Sequence, residues 1–138
     1  MAESSAGGLI NAALVAVPGA SKFYLGGAVI YTKAGRTALM GIESLDMKGM
    51  RSASEPYAKL LAARVRAKLG ATWGLAETGA SGPTGNSYGD AAGHACIAVS
   101  GPVDAVITVE TGSADRAANM REFTRRALAL LEDCLRKT

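Results

Sequence analysis

Trp73-Gly74-Leu75-Ala76-Glu77-Thr78-Gly79-Ala80-Ser81-Gly82-Pro83-Thr84-Gly85-Asn86 is an apolar run that passes into a loop of small and hydroxyl-bearing residues. The spacing predicts a strand over Thr72 to Ala76 and a glycine-rich turn from Glu77 onward. A similar turn, Ala2-Glu3-Ser4-Ser5-Ala6-Gly7-Gly8, opens the chain and runs straight into a helix-like stretch. Glycine allows backbone N–H groups to approach a ligand closely. A helix that begins just after such a turn directs unpaired donors and a positive dipole end at an anion. Two such turns predict one polar pocket, with a phosphate or carboxylate as its ligand.

Working outward, helical and extended patterns alternate. Gly8 to Val17 carries Leu9, Ala12, Ala13 and Ala16 on one face and is stopped by Pro18-Gly19. Ala28 to Tyr31 is a short apolar run after two glycines, and Ala34 to Met40 resumes helical spacing. Ser54-Glu55-Pro56 has the form of a helix start, with a capping hydroxyl and a proline in the first turn. The apolar positions Tyr57, Leu60, Leu61, Val65 and Leu69 then recur at helical intervals as far as Gly70. His94 to Ser100 and Val103 to Thr111 are two β-rich runs joined by Gly101-Pro102, which predicts a hairpin. A last helix is expected from about Ala114 to Arg136, with a stripe of Met120, Phe123, Ala127, Leu130, Leu131 and Cys134. The alternation predicts a single α/β domain, a three-layer α/β/α sandwich around a mixed sheet.

Composition narrows the function classes. The chain has 138 residues, 49% hydrophobic and 20% charged, with 17 glycines and a net charge of +3. A chain of that length and apolar content buries a core without metal or disulfide staples. The positive charges are dispersed, and no basic run is interleaved with aromatics, so no nucleic-acid surface is expected. Cys96 in an apolar strand and Cys134 on an apolar helix face read as reduced core residues. Residues 9–21 are apolar but are preceded by Glu3 and no Lys or Arg, unlike a secretory leader. No run reaches the ~18 apolar residues of a membrane span. A cytoplasmic protein is expected. His94 has no Cys, Asp or Glu at ligand spacing, so no metal site and no cofactor is predicted, although Asp90 and Glu77 could touch a cation beside a phosphate. Because the first turn motif begins at residue 2 with no strand ahead of it, a missing N-terminal helix and strand, an exposed apolar surface near Met1 and homo-oligomerisation are expected.

Three motifs carry a family resemblance. Ala2-Glu3-Ser4-Ser5-Ala6-Gly7-Gly8 resembles AESCTGG, Gly26-Gly27-Ala28-Val29-Ile30-Tyr31-Thr32 resembles GFVTYS, and Thr78-Gly79-Ala80-Ser81-Gly82-Pro83 resembles TGIAGP. In this order and at this spacing, over nearly the whole chain, they are similar to the C-terminal domain of the competence/damage-inducible protein CinA. The resemblance implies a nicotinamide-nucleotide amidohydrolase, which converts the carboxamide of nicotinamide mononucleotide to a carboxylate and ammonia. It implies a serine nucleophile at Ser21, in Pro18-Gly19-Ala20-Ser21, and a lysine at the position that Arg36 holds here. Tyr31 and Thr78 fall on positions that orient nucleophile and substrate. Ser4, Gly7, Gly8 and Gly79 fall in the glycine turns, and Arg116 falls on an arginine near the substrate phosphate.

Arginine at position 36 changes the chemistry. A desolvated amine can lose its proton and activate a hydroxyl, whereas guanidinium stays protonated and is no general base. Three routes stay open. Lys33 or Lys22 supplies the base from a shifted position; or Arg36 only holds an anion, leaving a nucleotide- or phosphate-binding homologue; or another amide is hydrolysed with Ser4 or Ser5 taking part. Without the resemblance, Ser21 reads as a turn serine, Tyr31 as a strand-end aromatic and Arg116 as a solvated first-turn residue.

Overall fold

The computed structural model describes residues 1–138. Its sheet has five strands, β1 (Ala2–Glu3), β2 (Ala28–Val29), β3 (Gly74–Ala80), β4 (His94–Ser100) and β5 (Ala105–Glu110), in the order β2-β1-β3-β4-β5. β1 runs parallel to both its neighbours, with Ala2 opposite Ala28 on one side and Ala76 on the other. β3, β4 and β5 are antiparallel, so the sheet is mixed. The helices are α1 (Leu9–Val15), α2 (Lys33–Met40), α3 (Glu55–Leu69) and α4 (Arg116–Arg136), with 3₁₀ turns at Ala20–Lys22 and Ser44–Met47.

Strand alternation sorts the core into two sides. Ala76, Cys96 and Ala98 face α3 and pack with Tyr57, Leu61 and Val65. Leu75, Ala95, Ile97 and Val99 face the other way and meet Ile10 of α1 and Phe123, Ala127 and Cys134 of α4. Period-2 side chains between two helical layers make the three-layer sandwich expected from the alternation of elements. Cys96 and Cys134 are both free and buried. The α3 start is as read from the sequence: Ser54 accepts a hydrogen bond from the Tyr57 amide, and Gly70 ends the helix at φ 61°.

Two readings are corrected. Glu77 to Ala80 are not loop but the second half of β3, because β4 pairs with them residue for residue, from Glu77 opposite Ile97 to Ala80 opposite His94. The small residues mislead a local reading, and Gly79 owes its size to the sheet: a Cβ there would sit 2.3 Å from the His94 carbonyl oxygen. The first turn motif also contains its own strand, Ala2–Glu3, held on both sides. Met1 itself is buried, while the exposed apolar surface expected near it is present. Beside it lies an apolar groove of about 250 Å³ between Leu25, Val65, Trp73 and Leu131, with Phe23 and Leu25 more than half exposed at its rim.

Candidate functional site

The carboxyl ends of β1, β2 and β3 converge on one side of the sheet, and the chain leaves them through Ser4, Tyr31 and the loop after Ala80. That crevice is where open α/β sheets place ligands. A cavity of about 330 Å³ opens there, lined by Ser4, Tyr31, Arg36, Ala53, Thr78 and Gly79 among others, and it has no Asp or Glu in its wall. A second cavity of about 210 Å³ shares Tyr31, Gly79 and Asn86 with it and is bounded by Arg116. The larger volume lies at the lower end of the ~300–1,000 Å³ found for small-molecule pockets.

The glycine turn beside β1 does not offer its amides to a ligand. Glu3 and Glu77 are both 0% exposed, and their side chains take those donors up. Glu3 accepts from the amides of Gly8 (2.7 Å), Ile10 (3.2 Å) and Asn11 (2.7 Å) and from the Asn11 side chain (2.6 Å). Glu77 accepts from the amides of Ser4 (3.1 Å) and Ala6 (2.9 Å) and from the Ser5 hydroxyl. Burial pushes the Glu77 carboxyl above its ordinary range, and the three hydrogen bonds pull against that rise. The anion at the helix N-terminus predicted from the turn is thus the protein's own. Glu77 is not directed at a cation, and Asp90 is engaged by Arg51 at 2.6 and 3.1 Å.

The remaining sequence-predicted residues divide into two groups. Ser4, Tyr31, Arg36, Thr78 and Gly79 share the larger cavity, and Arg116 joins it through Tyr31, donating from Nη2 to the tyrosine hydroxyl at 2.9 Å and from Nη1 to the Gly82 carbonyl. Arg116 opens α4, and Asp115 caps the helix by accepting from the Ala118 amide at 3.0 Å. Gly7 and Gly8, at φ 68° and 106°, form the left-handed entry to α1 and line neither cavity. Ser21 and Lys22 lie exposed in the 3₁₀ turn after α1, and neither lines the cavity. Lys33, by contrast, lines it at the first turn of α2.

The larger cavity carries two cations in its wall, Lys33 and the more deeply placed Arg36. The Arg36 side chain is inside the fold, with the residue only 6% exposed, and it lines both the large cavity and a neighbouring one of about 290 Å³. Nε donates to the Ile42 carbonyl at 3.3 Å, and no carboxylate pairs with the guanidinium. A buried cation without a counter-charge is costly to hold, and an anionic ligand offsets that cost.

Sequence reasoning passed over the support behind the cavity. Ala53, in the wall, has φ 55°, an uncommon conformation for alanine. Its amide donates to Thr78 Oγ1 at 3.1 Å, and its carbonyl lies 2.7 Å from His94 Nε2. His94 Nδ1 lies 2.5 Å from Glu110 Oε1, and Asp90 Oδ2 stands 3.6 Å from Nε2. A carbonyl and an ionised carboxylate only accept, so the ring serves both as an imidazolium. Burial opposes that charge, but the bonds to Ala53 and Glu110 and the nearby Asp90 outweigh it and raise the His94 pKa above its usual value. Spacing along the chain could not reveal this group, because Glu110 comes from β5 and Ala53 from the turn that precedes α3.

Fold and site together define an α/β domain with a cationic, tyrosine-lined cavity at the carboxyl ends of its parallel strands. The CinA C-terminal domain family matches residues 1–135, and the chain belongs to that family. It is similar to a CinA-like protein of Gloeobacter violaceus, with 41% identity over 102 residues, 74% of this chain and 24% of the relative. The chain therefore spans about a quarter of the length of that curated relative. Among solved structures it is similar to a CinA superfamily protein of Escherichia coli, at TM-score 0.86 and 27% identity over 94% of this chain and 76% of that one. It is also similar to a competence damage-inducible protein A of Klebsiella pneumoniae, at TM-score 0.89 and 25% identity over 97% and 83%.

Proposed function

We propose that the chain binds a small phosphorylated ligand of nucleotide type in the Tyr31–Arg36–Thr78 cavity, with Arg116 at its phosphate. The observation that carries this reading is Arg36, a buried guanidinium that faces an acid-free cavity without a counter-charge. Tyr31, Tyr57 and Tyr88 in the same wall provide flat apolar faces for a base or pyridine ring. Arg116, already oriented by Tyr31 and Gly82, supplies charge-assisted donors for a phosphate. No helix of the chain is long and apolar enough to cross a membrane, and two free buried thiols fit a reducing compartment, so we place the protein in the cytoplasm.

A second reading is amide hydrolysis of the nicotinamide-nucleotide type. In that reaction a hydroxyl attacks the carboxamide carbon, ammonia leaves, and water cleaves the resulting ester to the carboxylate. Family membership supports it, and so does the presence of a hydroxyl, Ser4, and an amine, Lys33, in one cavity. Ser21 would serve as nucleophile only if a second copy of the chain brought it to the cavity, which links this reading to homo-oligomerisation. Ammonia release from nicotinamide mononucleotide, run with Ser21→Ala and Ser4→Ala and beside a calorimetric titration, separates the two. Binding without ammonia supports the binding protein. Ammonia release lost in either variant establishes the hydrolase and names its nucleophile. Neither binding nor release refutes both.

A further inference from the structure

We infer that His94, which lines neither cavity of the site, is a positioning residue for the wall of the larger one: as an imidazolium it holds the Ala53 carbonyl, so that occupancy of the cavity and the proton on His94 are coupled. The inference rests on the phosphate-binding reading above and adds a regulation of that site by pH.

Ala53 lines the larger cavity at φ 55°, a backbone conformation that persists in a residue other than glycine only where the surroundings over-determine it. Its amide donates to Thr78 Oγ1 at 3.1 Å, and Thr78 lines the same cavity. Its carbonyl has His94 Nε2 at 2.7 Å as the nearest donor, with Arg51 Nη1 at 3.4 Å and the Cys96 thiol at 3.6 Å behind. A residue pinned at both its amide and its carbonyl thus joins the His94 ring to a hydroxyl in the cavity wall.

The groups around the ring decide what its proton does. Glu110 of β5 lies 2.5 Å from Nδ1, while Asp90 of the loop before β4 and Cys96 of the same strand lie 3.6 and 3.9 Å from Nε2. Arg51, ahead of α3, meets the ring through its pair with Asp90 at 2.6 Å. Glu55 of α3 meets it through Thr108, which donates to Glu55 at 2.8 Å and touches Cys96. β3 sets Ala80 opposite it. An imidazolium donates to Glu110 and to Ala53 at once. A neutral ring has a single N–H, and its other nitrogen turns a lone pair towards an acceptor. The carboxylate is the stronger acceptor and keeps the proton, so the Ala53 carbonyl loses its nearest donor. The wall then relaxes from its strained conformation and takes the Thr78 contact with it. A ligand that fits the held wall binds the protonated protein more tightly, and by reciprocity it strengthens the hold of His94 on its proton.

His94 is the single histidine of the chain, so its ring C–H signals in proton NMR report its titration directly. The probe is sulfate, a tetrahedral anion like phosphate that keeps its charge across the range in which histidine titrates. Saturating sulfate is expected to raise the ring midpoint by about 0.5 pH or more, and calorimetry should find sulfate bound about threefold or more weakly above that midpoint than below it. Direct attraction between sulfate and a positive ring has the same sign, and Glu110→Gln separates the two. That change removes a negative charge from the exposed edge strand, outside the cavity. Attraction alone predicts tighter sulfate binding at every pH. Positioning predicts that the ring midpoint falls and that the loss of affinity follows it to lower pH, so that between the two midpoints the variant binds more weakly than the parent. His94→Gln should abolish the pH dependence. A ring midpoint unmoved by saturating sulfate overturns the inference and leaves the phosphate-binding reading in place. Tighter binding by Glu110→Gln at every pH does the same, as does an affinity profile that stays put while the ring midpoint moves. Absence of sulfate binding at tens of millimolar overturns this inference and the phosphate-binding reading together.

Discussion

Replacing Glu3 by Gln tests whether the glycine turn is closed by the protein itself or is open to a ligand. The change keeps shape and volume but turns one acceptor oxygen into an NH₂. Whichever way the new amide lies, that NH₂ faces donors: the Gly8 and Ile10 amides on one side, or the Asn11 amide and side chain on the other. Two donors lose a partner inside a site that is 0% exposed at residue 3. At about 1–3 kcal/mol for each buried donor left unpaired, the loss is roughly 2–6 kcal/mol. An unfolding entropy of about 2.1 cal/mol/K per residue over 138 residues makes each kcal/mol worth roughly 3–4 °C in Tm, so a fall of about 10 °C is expected. Thermal melts followed by circular dichroism, with urea titration to confirm the free energy, measure it. A Tm within about 3 °C of the parent would refute the assignment of Glu3 as the acceptor for α1 and would return those amides to the list of ligand donors.

Three further outcomes are expected. Gly27→Ala would place a Cβ 1.8 Å from Asn11 Oδ1 and 2.5 Å from the Met1 carbonyl oxygen. Overpacking of that kind costs about 1–3 kcal/mol, readable in urea titration, and an unchanged midpoint would sink the close approach of β2 to α1. For His94, the folded pKa lies above the unfolded value of ~6.5, so its contribution to stability is full below that pH and is lost as pH rises through the folded value. The parent should therefore lose stability as pH rises above about 6.5 through the folded value, and His94→Gln should flatten that slope; parallel profiles would rule out the imidazolium. Arg116→Ala removes the donors to Tyr31 and Gly82 from an exposed helix start. Affinity for inorganic phosphate should fall about 10-fold or more, as loss of a charged hydrogen-bond donor predicts, with little change in Tm. Undiminished phosphate binding would place the phosphate elsewhere.

The apolar stripes of α3 and α4, the Ser54 cap, the Gly70 stop and the β4–β5 hairpin were all legible in the sequence, because each follows from periodicity or from the chemistry of one turn. The motif residues Ser4, Tyr31, Arg36, Thr78 and Gly79 were also legible as a set, and they do line one cavity. The direction of the turn amides was not legible. Glu3 and Glu77 are 74 positions apart and look like ordinary surface acids in the sequence. Only the parallel pairing of Ala2 with Ala76 brings Glu77 beneath the turn that Glu3 begins.

By itself, the sequence determined the order and type of most elements, the α/β class, and the presence of a guanidinium at position 36. These depend on local spacing and on the intrinsic chemistry of side chains. Tertiary structure alone decided that Glu77 to Ala80 are strand, since the ladder to β4 outweighs the turn preference of small residues. It also decided that the turn's donors are spent on two buried side chains, that His94 is charged between Ala53 and Glu110, and that Arg36 rather than Ser21 faces the cavity. Each of these is set by which distant groups the sheet register brings within hydrogen-bonding reach. A residue's chemistry is local, but its partner is chosen by the fold.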